Sequence, residues 1–202
     1  MNQERLIGTA KKLDKILKVV QIVNIAGGVF VICGFLLLNI AHLVNPKNVN
    51  TADIIKFSTG EFSLELASAA EMGIDLAYGW VNCVWTVALL AILWIGFRYV
   101  RKIMVPMMEG NPFDHSVSDY LKKLGLLTLL YGIVGNIGAA MITSMKMNHY
   151  QLERLVDGKN ILAIAPEYQL ELGFLIIFFV FLLASYIFKY GAELQQLSDE
   201  TL

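Results

Sequence analysis

Leu172-Gly173-Phe174-Leu175-Ile176-Ile177-Phe178-Phe179-Val180-Phe181-Leu182-Leu183-Ala184-Ser185-Tyr186-Ile187-Phe188 contains no Asp, Glu, Lys or Arg. Its apolar side chains cover every face of a helix. No stripe is left for water, which is the pattern of a segment surrounded by lipid. Three more stretches share the feature: residues 19–46, 76–97 and 124–145. In chain order the four runs are 28, 22, 22 and 17 residues long. A helix needs about 20 apolar residues to cross a bilayer core. The expected fold is therefore an all-α membrane bundle of four transmembrane helices, a single membrane domain over residues 1–202. The spans fall at about 18–44, 78–100, 121–145 and 169–190, with outer loops 45–77 and 146–168, an inner loop 101–120 and a tail 191–202.

Composition agrees. Charged residues make up 16% of the chain and hydrophobic ones 56%, whereas soluble domains carry about 25% charge. A net charge of −1 gives no electrostatic basis for direct nucleic-acid binding. Cys33 and Cys83 both lie inside apolar runs and read as small core residues rather than a disulfide framework. The first run is too long for the apolar region of a signal peptide, so it is read as a retained span.

Positive charge in short loops sets orientation. Eleven Lys and Arg fall on the side of the N-terminal arm, the inner loop and Lys189, against five on the other side: Lys47, Lys56, Lys146, Arg154 and Lys159. Both termini are expected in the cytoplasm. Residues 3–18 have Leu6, Ala10, Leu13 and Leu17 at helical spacing. They read either as an amphipathic helix on the inner leaflet or as an extension of span one.

Polar and small residues within the spans mark helix contacts, because lipid offers an amide no partner. On span one these are Asn24 and Gly28. On span three they are Gly132, Gly135, Asn136 and Ala139, which suggests span three as the centre of the bundle. In the first outer loop Phe62, Leu64 and Leu66 alternate with Ser63 and Glu65, the period-two pattern of a strand. Residues 54–66 therefore read as two short strands about a turn. They form a small extracytoplasmic cap, with residues 160–164 as a candidate partner, and residues 67–78 then read as helix leading into span two.

The inner loop holds the most distinctive local sequence, Pro106-Met107-Met108-Glu109-Gly110-Asn111-Pro112-Phe113-Asp114. Gly110 can end a helix in the left-handed conformation. Asn111 is pushed to extended geometry by Pro112, and Asp114 or Ser116 can cap the next helix. Phe113 is an apolar anchor that must pack on something. The tail adds Glu193, Leu194 and Leu197. Gly110, Asn111, Pro112, Phe113, Glu193, Leu194 and Leu197 are accordingly the candidate partner-docking residues.

The segment Gly110-Asn111-Pro112-Phe113 and the ending Tyr190-Gly191-Ala192-Glu193-Leu194-Gln195-Gln196 resemble those of a bacterial family of four-helix membrane proteins catalogued only as a domain of unknown function. Genes of that family commonly sit beside a small Cro/C1-type helix-turn-helix regulator. The resemblance implies a bacterial cytoplasmic membrane protein with a transcription regulator as cytosolic partner. It carries over no catalytic residues.

No phosphate-binding loop, His-Glu-x-x-His or Cys-x-x-Cys is present. His42 and His149 could meet at the outer face, but no full ligand set surrounds them. No ionisable group lies mid-span, where proton-coupled transporters place one. Catalytic, cofactor and metal sites are thus none, and an enzyme is not expected. The leading expectation is a regulatory or scaffold membrane protein, with the bilayer and a small DNA-binding regulator as partners and homo-oligomerisation left open. The alternative is a small-solute transporter or accessory permease subunit, using the polar face of span one against the glycine face of span three.

Overall fold

The computed structural model describes residues 3–44, 54–59, 62–67, 76–149, 168 and 170–200. Its elements are α1 (Gln3–Val44), β1 (Ile54–Thr59), β2 (Phe62–Ala67), α2 (Leu76–Met108), α3 (His115–His149) and α4 (Gly173–Glu200). Each helix holds a segment long and apolar enough to cross a membrane: Ile7–Leu37, Ala77–Met108, His115–Met145 and Gly173–Ser198. The chain is a multi-pass membrane protein by that measure. Large apolar side chains point outward along the helices, with Phe30 78% and Ile176 70% exposed. Water would penalise that arrangement, and hydrocarbon does not.

α1 is 42 residues long, about 63 Å at 1.5 Å per residue. It runs unbroken from Gln3, so residues 3–18 extend span one rather than forming a separate surface helix. Its contacts with α2 recur every seven residues. Asp14 and Gln21 meet Arg101, Gly28 meets Leu90, and Phe35 meets Trp80 edge-on at 4.8 Å. A seven-residue repeat keeps one seam facing one antiparallel partner. Phe35 also lies over Gly79, where any Cβ would sit 2.6 Å from its ring.

α3 has two working faces. Ser118, Gly125 and Gly132, again seven apart, meet Ser185, Phe181 and Phe174 of α4. Ser118 Oγ donates to the Ser185 carbonyl at 3.0 Å, and Ser185 Oγ donates to the Ser118 carbonyl at 2.9 Å. Both buried hydroxyls are therefore satisfied across the interface. On the other side Trp85 of α2 lies over Gly138 and donates from Nε1 to the Val134 carbonyl at 3.2 Å. Tyr99 and Tyr120 stack at 6.0 Å nearer the termini.

Among the described residues α1 packs on α2, α2 on α3, and α3 on α4, with no contact closing α1 onto α3 or α4. The helices form an open row in chain order, not a bundle gathered around span three. The reason is in the small residues: α3 has them on two sides and takes two neighbours, while α1 presents one seam. The polar residues of α1 and the glycines of α3 consequently do not face a common path. The best-buried cluster, Ile103, Val117 and Leu121 with Phe181 and Phe188 against it, lies toward the end that carries both termini. There the helices run past their charge-free segments, and apolar surface must be covered by protein.

Outside the helices, β1 and β2 pair antiparallel from Ile54↔Ala67 to Thr59↔Phe62. Two residues, 60 and 61, join them. The expected strand partner at 160–164 lies outside the described residues, as do residues 68–75 of the helix expected over 67–78.

Asn136 ties the start of α4 to α3. Its Nδ2 donates to the Glu171 carbonyl at 3.0 Å, its Oδ1 accepts from the Glu171 N–H at 3.0 Å, and Nδ2 also bonds the Gly132 carbonyl at 2.9 Å. The side chain thus copies one rung of a β-ladder. Asn136→Leu should lower stability by about 1–2 kcal/mol, given about 0.6 kcal/mol for a typical side-chain bond between membrane helices. Thermal unfolding in detergent would check this. An unchanged midpoint would show that the clamp contributes nothing.

Candidate functional site

The site grows from the end of α2. Pro106 has no N–H, but its carbonyl accepts from the Asn111 N–H at 2.9 Å, while the Gly110 N–H bonds the Met107 carbonyl at 3.4 Å. These are the two bonds of a Schellman ending. Gly110 sits at its left-handed position with φ 84°, a conformation that Cβ-bearing residues adopt only with strain. The chain is thereby reversed within a few residues. Asp114 opens α3: its Oδ1 accepts from the Ser116 N–H at 2.8 Å, and its carbonyl accepts from the Val117 N–H at 3.0 Å. The Ser116 side chain first, and its N–H second, hold the Asp114 carboxyl below its ordinary pKa. The cap is charged at neutral pH.

This turn aims Phe113 at α4. Its ring lies 5.7 Å from that of Phe188 and directly over Gly191, where a Cβ would fall 2.5 Å from Cδ1 and 2.7 Å from Cε1. Gly191 is required by that close approach. Ala192 beside it is 4% exposed. The two segments singled out separately in the sequence, residues 110–113 and the tail, are thus neighbours. Between them opens a cleft of about 340 Å³, walled by Asn111, Phe113, Asp114, His115, Ala192, Gln195, Gln196 and Glu200. Phe113 remains 40% exposed, so one side of its ring packs inward and the other is offered to the cleft.

Of the candidate docking residues, Asn111 and Phe113 line this cleft, and Gly110 and Pro112 shape the turn that presents them. Glu193, Leu194 and Leu197 do not line it. They are exposed on other faces of α4, Leu194 at 49% and Leu197 at 59%. Sequence reasoning missed Gln195, Gln196 and Glu200, although helical spacing from Ala192 would have placed them on its side. Gln196 Nε2 donates to Glu200 Oε1 at 3.0 Å, fixing the far wall.

The candidate packing residues separate in the same way. Gly132 and Asn136 meet α4, and Gly28 is in ordinary contact with Leu90 at 3.7 Å. Gly135 has open space where a Cβ would stand, and Ala139 is exposed. Asn24 is half-buried. Gly138, not singled out in the sequence, takes the place in the α2 seam.

A second polar cluster lies on α1 and α2. Arg101 Nε donates to Asp14 Oδ1 at 2.9 Å and Nη1 donates to Gln21 Oε1 at 3.0 Å, while Lys18 Nζ reaches Asp14 Oδ2 at 2.9 Å. Asp14 and Gln21 are buried, at 9% and 8% exposure. Every strong acceptor in the group is occupied, so the cluster has the chemistry of a fastener and not of an acid–base centre. Cys33 and Cys83 are free thiols, and no group of three metal-ligating side chains occurs among the described residues. No family model, no curated protein and no solved structure matches this chain.

Proposed function

We propose that this protein is a regulatory or scaffold component of a bacterial cytoplasmic membrane, and that the cleft between the α2–α3 turn and the tail docks a cytosolic protein. The supporting observation is the convergence of Phe113 and the tail on one concave surface at the end of the row that carries both termini. A half-packed aromatic ring beside a cavity with convergent polar groups is the usual form of an interface anchor. Asp114 and Glu200 make the walls acidic. Acidic walls suit a basic partner segment. A small helix-turn-helix regulator, the partner that the resemblance implies, carries basic surface for DNA. On this reading the excess of Lys and Arg keeps both termini in the cytoplasm. The β1–β2 ladder then belongs to an extracytoplasmic cap on the opposite side, where a signal could be received.

The test is crosslinking capture from native membranes with the full chain, Phe113→Ala and a chain ending at Tyr190. Recovery of a small DNA-binding regulator should fall by about tenfold or more in Phe113→Ala, since loss of an anchor residue costs about 2 kcal/mol. It should vanish without the tail. If both variants insert normally and recover the same protein in the same amount, the cleft is not the docking face. Recovery of a permease subunit or an ATPase instead would assign the protein to transport.

A further inference from the structure

We infer that the α2–α3 seam carries a binding site for the phosphate headgroup of an anionic phospholipid, formed by Lys102 and Lys123 around Tyr120, with Arg98 one turn before Lys102 on α2. Arg98 is the first charged residue after the charge-free run 76–97, so it stands where the span leaves hydrocarbon. That is the level of lipid phosphates in the leaflet next to the termini. Its guanidinium lies 4.9 Å from the Trp94 ring centre. Lys102, one turn further along α2, has its Nζ 5.2 Å from the centre of Tyr120 on α3. Lys123 approaches the same ring from α3, with Nζ at 5.4 Å. Tyr99 stacks on Tyr120 and fixes that ring between the helices.

Two ammonium groups from different helices therefore converge on one tyrosine. An aromatic face offsets some of their repulsion, but it neutralises no charge. Among the described residues none of Arg98, Lys102 and Lys123 has a carboxylate partner. Asp119, one turn before Lys123, is exposed and pairs with neither Lys122 nor Lys123. Arg101 is different, because Asp14 and Gln21 already engage it. Basic groups between membrane helices at the headgroup level recognise lipid phosphates, and interfacial aromatics occupy the same depth. The ligand chemistry that completes the cluster is a phosphodiester carrying a net negative charge. The inference needs only that the chain spans a bilayer, and it stands or falls apart from the docking cleft.

The test uses the purified full chain in phosphatidylcholine vesicles, with spin-labelled phosphatidylglycerol or spin-labelled phosphatidylcholine as the probe. Wild type should immobilise the phosphatidylglycerol label preferentially. Lys102→Gln with Lys123→Gln should reduce that preference by about five-fold for each lysine removed, the effect of about 1 kcal/mol per basic residue at a membrane surface. Lys11→Gln with Lys12→Gln removes the same charge from the same end of the row and should preserve the preference. Equal loss in both double variants would reduce the site to diffuse positive charge and overturn the inference. So would no preference in wild type. Displacement of the label by inorganic phosphate at equal efficiency would make the ligand a soluble anion and not a lipid.

Discussion

Gly191→Val should expel Phe113 from α4, lowering stability by about 1–3 kcal/mol, the range for forcing extra atoms into a packed site. Even a single Cβ at this position would lie 2.5 Å from the Phe113 ring, and valine adds two methyl groups beyond it. The α4 backbone there is continuous helix, so it cannot yield, and the ring must leave. Phe113 holds the α2–α3 turn against the tail, so the cleft loses its floor and partner capture should fall with it. Thermal unfolding combined with the crosslinking capture checks both effects. Gly191→Val together with Phe113→Ala then separates them, because removing the ring should restore stability while capture stays lost. If Gly191→Val alone unfolds at the wild-type temperature, Phe113 does not pack on Gly191.

Arg101→Leu should be costly for a different reason. It strands Asp14, which is buried and, among the described residues, keeps Lys18 as its remaining ion-pair partner. Breaking a fully buried ion pair costs about 3–5 kcal/mol. The Arg101 side chain is 34% exposed and Lys18 remains, so about 2 kcal/mol is expected. Asp14→Leu in the Arg101→Leu background should recover most of the loss, because an apolar pair in place of a buried ionic one is often neutral. A double-mutant cycle read by thermal or denaturant unfolding in detergent gives the coupling directly. Zero coupling would mean that the two charges do not depend on each other.

The sequence made the spans legible because lipid as a solvent imposes a uniform rule on long segments. The run 172–188 cannot be anything that needs a wet face. The α2–α3 reversal was also legible, since Gly110 and Pro112 act through their own backbones. The Asp14–Arg101 pair was not legible. Its members are 87 residues apart, and Asp14 sits among lysines that make it look like ordinary surface charge. Nor could the sequence show which way each helix is turned about its axis. Gly132, Gly135 and Gly138 are spaced by three and differ by about 300° per step at 100° per residue, so a small rotation decides which one meets a neighbour. The same ambiguity hides which side of the tail meets the turn: Leu194 and Leu197 stand out by their apolar character, whereas Phe113 packs on Gly191, and Ala192, Gln195 and Gln196 line the cleft.

Because, among the described residues, each helix packs only on those next to it in the chain, every helix–helix interface joins consecutive elements. α1 and α2 can close on each other as soon as the second has entered the bilayer, and every later helix finds its neighbour already in place. Such a topology favours ordered assembly, since each helix docks on the one inserted just before it. It also makes the protein behave as a linear array whose stability is a sum over adjacent interfaces. Lesions at the α1–α2 seam and at the Phe113–Gly191 contact should then add without interaction, so a sequence change can tune one end of the protein and leave the other unaltered.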